Sequence, residues 1–312
     1  MQTLDPLDLM RELEPTVEAN LNRHLSIAQE WMPHEYVPWR LGRDFVGPDG
    51  AAWSPDQSSL SREAQISFEV NLLTEDNLPS YHHEIATVFG RDGAWGTWVH
   101  RWTAEEGRHA CCIRDYLLVT RAVDPVVLER DRMATMEVGY SAEGKGLTRV
   151  LAYVSFQELA TRIAHRNTGR IAGDPVADKL MARISADENL HMVFYRDLIR
   201  AAMDIDPDQT VVAIAAEVLG FRMPGTGIPN FNRKSVQIAK AGIYNLRIHR
   251  DEVIAPVLRH WKIFDLTFVS PEAQQAQASL AEHLDQLEQL AQQYDERLGA
   301  NRERIAAGNA TR

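Results

Sequence analysis

Apolar residues recur along most of the chain with the period of a helix, and the strict alternation that marks strands is scarce. Leu9, Leu13, Val17, Leu21 and Leu25 fall at four-residue steps between Asp8 and Ala28, which predicts a helix interrupted at Pro15. A polar stretch rich in Pro and Gly follows from Met32 to Ser59 and predicts a loop. Ser61 to Phe89 again reads as helix, with a kink or restart at Pro79. Ala94 to Val123 predicts a long helix, and Asp124-Pro125 opens another. Glu137 to Gly146 is a Gly-rich loop; Leu147 to His165 and Pro175 to Met203 are helical, separated by Gly169–Asp174. A shorter helix spans Pro207 to Phe221, an irregular segment (RMPGTGIPNFN) and two short helices follow, and residues 271–307 predict a long, exposed terminal helix. The expected architecture is all-α, residues 1–312 forming one domain with a four-helix core at about residues 61–203.

Within the long helix starting at Ala94 stands Glu106-x-x-His109, and within the helix starting at Pro175 stands Glu188-x-x-His191. Positions i and i+3 share one helix face about a turn apart, so each pair can converge on one ion. A single Glu-x-x-His is more often a solvated face. Here each copy has a carboxylate about thirty residues upstream: Glu75 precedes Glu106 by 31, and Glu158 precedes Glu188 by 30. Thirty residues is the reach of a helix, a turn and half the next helix. Glu158 sits among Val154, Phe156, Leu159 and Ile163, where an unpaired carboxylate would be expensive. Four carboxylates buried together repel one another and resist ionisation unless cations join them. Four Glu and two His, without thiolate, suit iron or manganese. The set matches the known arrangement of ferritin-like carboxylate proteins, one Glu from each of two helices and Glu-x-x-His from each of two others.

The phrases LLTEDNLPSYHHEI, WGTWVHRWTAEEGRH, YVSFQELATRIAHRNTG and ISADENLHMVFYRDL span residues 72–198. On these, the chain resembles the soluble acyl-acyl carrier protein desaturases, the plastid stearoyl-type enzymes and their actinobacterial relatives. The region around Trp31-x-Pro33 and the RMPG…IPNF segment extend the similarity over most of the chain. The resemblance implies a ferritin-like four-helix bundle. It implies a di-iron centre of two Fe(II) ions with Glu75, Glu106, His109, Glu158, Glu188 and His191 as ligands, and dioxygen-dependent insertion of a cis double bond into a fatty acyl chain. It further implies acyl carrier protein as the chain's carrier, a place in fatty acid biosynthesis, and a homodimer. No flavin or nicotinamide fingerprint is visible, so electrons are expected from a ferredoxin-type donor. Asp187 is expected to accept the outer N–H of a ligating His, with Trp31 completing a link to His109; Thr161, on the face of Glu158, is a candidate for contact with bound oxygen. Gly107 and Cys111-Cys112 depart from the family, which commonly has Asn and, in plants, Gly-Asp there. The alternatives are another di-iron oxidase, a hydroxylase or ferroxidase, and a non-catalytic acyl-carrier binding protein.

Composition refines the picture. Net charge is −11, which argues against general nucleic-acid binding. Residues 221–262 carry eight Lys or Arg against Asp251 and Glu252, net +6, a candidate dock for an acidic carrier. The two cysteines are adjacent in a helix and unsuited to pair, which points to reducing cytosol. The first residues carry acids and no long apolar run, unlike a signal peptide, and no eighteen-residue apolar run predicts a membrane span. Arg108 and Asn189 are expected to be surface or structural residues, Cys111 and Cys112 small core fillers, and Trp95, Trp98 and Trp102 a packed stripe.

Overall fold

A computed structural model of the chain describes residues 5–142, 144–225 and 227–310. Among them there is no strand; the fold is all-α, with a ferritin-like four-helix core. Helix α1 spans Pro6–Ile27, α2 Arg62–Glu75, α3 Leu78–Phe89, α4 Gly93–Val119, α5 Pro125–Val138, α6 Leu147–Ile171 and α7 Pro175–Ile205. They are followed by α8 Pro207–Leu219, α9 Phe231–Lys240, α10 Leu246–Ile248, a π-helical stretch His249–Ile254, α11 Ala255–His260 and α12 Pro271–Ala310.

Helix starts follow the sequence signals. Asp5, Asp124, Asp174 and Asp206 each accept a backbone N–H as N-cap with Pro in the first turn. Pro15 does not interrupt α1, contrary to expectation. The lost hydrogen bond is outweighed by burial of Leu9, Leu13, Val17 and Leu21 along one face of the helix. The break expected at Pro79 falls at Asp76-Asn77, so Pro79 takes a first-turn position in α3, where its missing N–H costs nothing. The loop between α1 and α2 contains three 3₁₀ turns. It is braced by buried Arg121, which donates to the Gln57 side chain and to the carbonyls of Arg43, Asp44 and Ala51.

Helices α6 and α7 form an antiparallel hairpin closed by residues 172–174. Gly169 lets them approach: a Cβ there would meet Met181 Cβ at 2.9 Å and Asp178 Cα at 3.2 Å. The main core joins α1, α3, α4, α6, α7 and α8, with Trp98 stacked on Phe194 at 3.6 Å. Helix α12 is longer than expected and half-packed, burying Ala273, Leu280 and Leu287. Its acids also reach the basic segment: Arg247 pairs with Asp295 (2.6 Å) and Glu288 (3.2 Å), and Arg250 with Glu288 (2.9 Å). Lys234 pairs with Asp131 and Glu69. Arg222, Arg233, Lys240, Arg259 and Lys262 remain exposed. No helix among the described residues is long and apolar enough to cross a membrane.

Candidate metal centre

Glu75 ends α2, Glu106 and His109 lie in mid-α4, Glu158 in α6, and Glu188 and His191 in α7. All six are buried, none more than 6% exposed. The fold brings them into two overlapping sets. Donor atoms of Glu75, Glu106, His109 and Glu188 lie within 4.8 Å of one another, as do those of Glu106, Glu158, Glu188 and His191. Each set holds three carboxylates and one imidazole, and Glu106 and Glu188 belong to both. Glu106 and Glu188 thus lie between the two sets, with Glu75 and Glu158 each belonging to one.

The inward atoms fit cations better than one another. His109 Nδ1 lies 3.0 Å from Glu188 Oε1, and His191 Nδ1 lies 2.8 Å from Glu106 Oε1, yet neither pair has hydrogen-bonding geometry. Glu106 Oε1, Glu158 Oε2, Glu188 Oε1 and both Nδ1 atoms are buried without a hydrogen-bond partner. Five orphaned donors aimed at a common centre are costly in a dry interior unless something positive joins them. Oxygen and imidazole donors suit a hard or borderline divalent ion.

Electrostatics agree. Burial pushes the Glu188 carboxyl well above its ordinary range, and Glu106 and Glu158 push it further. Burial likewise raises Glu106, against the pull of His109. Burial opposes charge on His109 and His191, but the carboxylates around them raise both well above an ordinary imidazole. Glu75 differs. Burial raises it, yet the nearby His109 imidazole and the hydrogen bond with His165 hold it well below the usual carboxylate range. Without cations the cluster must keep protons, and ions would displace them.

The outer atoms are pinned. His165 Nε2 lies 2.7 Å from Glu75 Oε1, and the Trp102 indole donates to Glu158 Oε1 at 3.1 Å. Trp102 is therefore tied to the cluster, whereas the Trp95 and Trp98 indoles donate elsewhere, to the Met10 carbonyl and the Tyr195 hydroxyl. The expected link is present as geometry: Trp31 Nε1 donates to Asp187 Oδ2 at 2.7 Å, and His109 Nε2 lies 3.4 Å from the same oxygen. Burial raises Asp187, but hydrogen bonds with His109 and Trp31 bring it down to about 2, so it accepts as a carboxylate. Arg108, of the two expected roles, takes the structural one in this arm, 3.4 Å from Asp187 and 4.9 Å over the Trp31 ring. On the other side His191 Nε2 meets Glu105 Oε2 at 2.9 Å.

Glu105 escaped the sequence reading although a signal existed. Arg-x-x-x-acid-Glu-x-x-His occurs twice, as Arg101, Glu105, Glu106, His109 and as Arg183, Asp187, Glu188, His191, 82 residues apart. Each Arg pairs with the carboxylate four residues on, and each of those carboxylates serves the histidine of the other helix.

A cavity of about 50 Å³ abuts the centre, with Glu75, Glu106, Glu158 and Trp102 in a mostly apolar wall that includes Leu78, Ile85, Val150 and Val154, together with Glu84, Lys145 and Gln157. A second cavity lies against the other side of Glu75, where His165, Asn71 and Thr161 line it. Thr161 thus faces the second cavity, and its hydroxyl accepts from the Gln157 amide at 2.9 Å. Cys112 is buried as expected and Cys111 exposed.

Comparison with known proteins agrees with this architecture. The fatty acid desaturase family model matches residues 5–308. A Mycobacterium tuberculosis protein provisionally named acyl-[acyl-carrier-protein] desaturase DesA1 is 51% identical over 300 residues, covering 94% of this chain and 89% of its own. The chloroplastic stearoyl-[acyl-carrier-protein] 9-desaturase of Gossypium hirsutum is 28% identical over 316 residues, covering 92% and 77%. The X-ray structure of DesA2 from Mycobacterium tuberculosis, also provisionally titled an acyl-ACP desaturase, superposes with a TM-score of 0.71 at 33% identity, over 86% of this chain and 99% of that one.

Proposed function

Because the chain belongs to the fatty acid desaturase family, we propose that it is a di-iron, dioxygen-dependent acyl-acyl carrier protein desaturase whose described residues act as one domain. The observation that carries this reading is the apolar cavity ending on the carboxylate–imidazole cluster. A saturated chain has no polar handle, so it needs a dry slot that delivers one pair of methylenes to an oxidant.

Glu75, Glu106, His109, Glu158, Glu188 and His191 would hold two ferrous ions. Bound there, the ions supply reductive activation of dioxygen, the chemistry needed to break unactivated C–H bonds. The net change is –CH2–CH2– + O2 + 2e⁻ + 2H⁺ → –CH=CH– + 2H2O, with the electrons coming from a ferredoxin-type donor. The chain's own residues bind, orient and exclude water. Leu78, Ile85, Val150 and Val154 pack the acyl chain. Trp102 holds the Glu158 carboxylate in place, and Asp187 with Trp31 holds the His109 ring. The exposed cations of residues 221–262 favour an acidic carrier domain. A homodimer in the cytoplasm completes the reading.

The test is direct. Iron-loaded protein is given stearoyl- and palmitoyl-acyl carrier protein, ferredoxin, its reductase and oxygen, and the acyl products are analysed by mass spectrometry. An olefin two mass units lighter supports the proposal. A hydroxylated acyl chain, or oxygen consumed with no acyl product, replaces it with another oxidase chemistry.

A further inference from the structure

The two outer arms of the centre end differently. His109 leads through Asp187 to an indole, whereas His191 leads through Glu105 to a second imidazole, His24 of α1. We propose that His24 is a positioning residue for one of the two ion sites, fixing His191 through Glu105, so that the N-terminal helix completes a centre built on α2, α4, α6 and α7. This inference rests on the two-ion reading above.

Glu105 Oε2 lies 2.9 Å from His24 Nε2 and 2.9 Å from His191 Nε2. A carboxylate only accepts, so both imidazoles carry hydrogen at Nε2. Neutral His191 then has its lone pair at Nδ1, the atom 2.8 Å from Glu106 Oε1 and 3.6 Å from Glu158 Oε2. That is the tautomer an ion requires, and it is set from the far side of the ring. Arg101 holds the other oxygen, Oε1. Without His24, the carboxylate has cations on one side and only the His191 imidazole on the other to keep it from rotating toward Arg101, already paired with it, and Arg108, 3.8 Å away. His24 is 2% exposed, parallel to His191 at 5.9 Å between centroids, and edge-on to Trp98 at 5.1 Å. Its Nδ1 has no partner, so its polar role runs through Nε2 alone.

His24, Glu105 and His191 place donor atoms within 4.8 Å of one another and could themselves surround a cation. The geometry argues otherwise: both nitrogens already sit at hydrogen-bonding distance from one oxygen, and a guanidinium on the same carboxylate repels a third ion. The ion count stays at two.

The experiment compares full-length wild type with His24→Phe, which keeps a ring against Trp98 but has no donor, and His24→Gln, whose amide can donate to Glu105. Each is stripped with chelator, checked for folding by circular dichroism and melting, and titrated anaerobically with Fe(II) to give stoichiometry and affinity. Wild type binds two ions. His24→Phe keeps one near wild-type affinity and binds the other more weakly, by up to the roughly 10- to 100-fold that losing a direct outer partner of a metal-binding histidine costs; His24→Gln recovers most of the loss. Should His24→Phe not fold, Glu105→Gln against His24→Gln gives the same comparison. Two ions bound normally by His24→Phe, equal weakening of both ions, no rescue by Gln, or three ions in wild type would each overturn the assignment. A wild-type chain that binds no iron overturns the two-ion reading itself, an outcome distinct from all of these.

Discussion

Replacing Glu188 with Gln should make the metal-free protein more stable and the iron-loaded protein less stable than wild type. Gln has the same shape, so packing is unchanged while one carboxylate is removed from a set of four. Donor atoms of Glu188 lie within 4.8 Å of those of Glu106 and Glu158, and at an effective dielectric of about 20 each such ionised pair costs about 3.5 kcal/mol. The protein avoids part of that cost by keeping protons, which caps the relief at about 2–4 kcal/mol. Unfolding entropy of about 2.1 cal/mol/K per residue gives about 0.65 kcal/mol/K for this chain, so each kcal/mol moves Tm by about 1.5 °C. Calorimetry of chelator-stripped protein should therefore find Glu188→Gln melting about 3–6 °C above wild type. Fe(II) supplied anaerobically at about 100 times Kd adds about 2.7 kcal/mol per ion, hence about 8 °C for two ions. Wild type should gain most of this and the variant little, so the order inverts. A stripped variant that melts below wild type, or an equal iron-induced rise in both, would refute the argument that these carboxylates are held together for cations.

Val154→Phe, which adds volume to the cavity wall, should shift product formation to shorter acyl chains in a mass-spectrometric panel while two ions are retained; loss of iron would point to damage instead. Arg121→Ala should cost about 2–4 kcal/mol in denaturant melts, because it strands three carbonyls and Gln57, and limited proteolysis should then cut first within residues 43–57. Gly107→Ala should raise Tm by about 1 °C: a Cβ there meets only Leu78, at 3.9 Å, and Ala gains about 0.5–1 kcal/mol in a helix. Burial, with help from His283, pulls His249 down to about 4, and its Nδ1 faces the Tyr244 hydroxyl at 2.8 Å. The unfolded chain binds that proton below about pH 6.5 and the folded one only near 4, so stability falls as pH drops through that window. His249→Phe should flatten the decline in Tm between pH 7.5 and 5; an unchanged slope would remove His249 as its source.

Helical periodicity and a twice-used spacing made the bundle and the six inward side chains legible before any coordinates. Both are local properties: a helix face is set by residues three and four apart, and a thirty-residue interval is set by helix length. The same locality made the Arg-x-x-x-acid-Glu-x-x-His repeat readable, and with it Glu105 as the counterpart of Asp187. Nothing local could pair Glu105 with His24, 81 residues away, or His165 with Glu75 across 90. Those contacts exist only once α1 and α6 have docked, because rotating a docked helix by one residue swings its side chains about 100° away. The same holds for Trp102, which reads as one of three similar indoles until the fold sets its N–H against Glu158. The basic character of residues 221–262 was plain from composition, but α12 decides how much of it reaches solvent, by placing Glu288 and Asp295 on Arg247 and Arg250. The six converging side chains are thus written into helix-period spacing, whereas the held oxygens and the cavity beside them arise from long-range packing, since they depend on which helix faces meet.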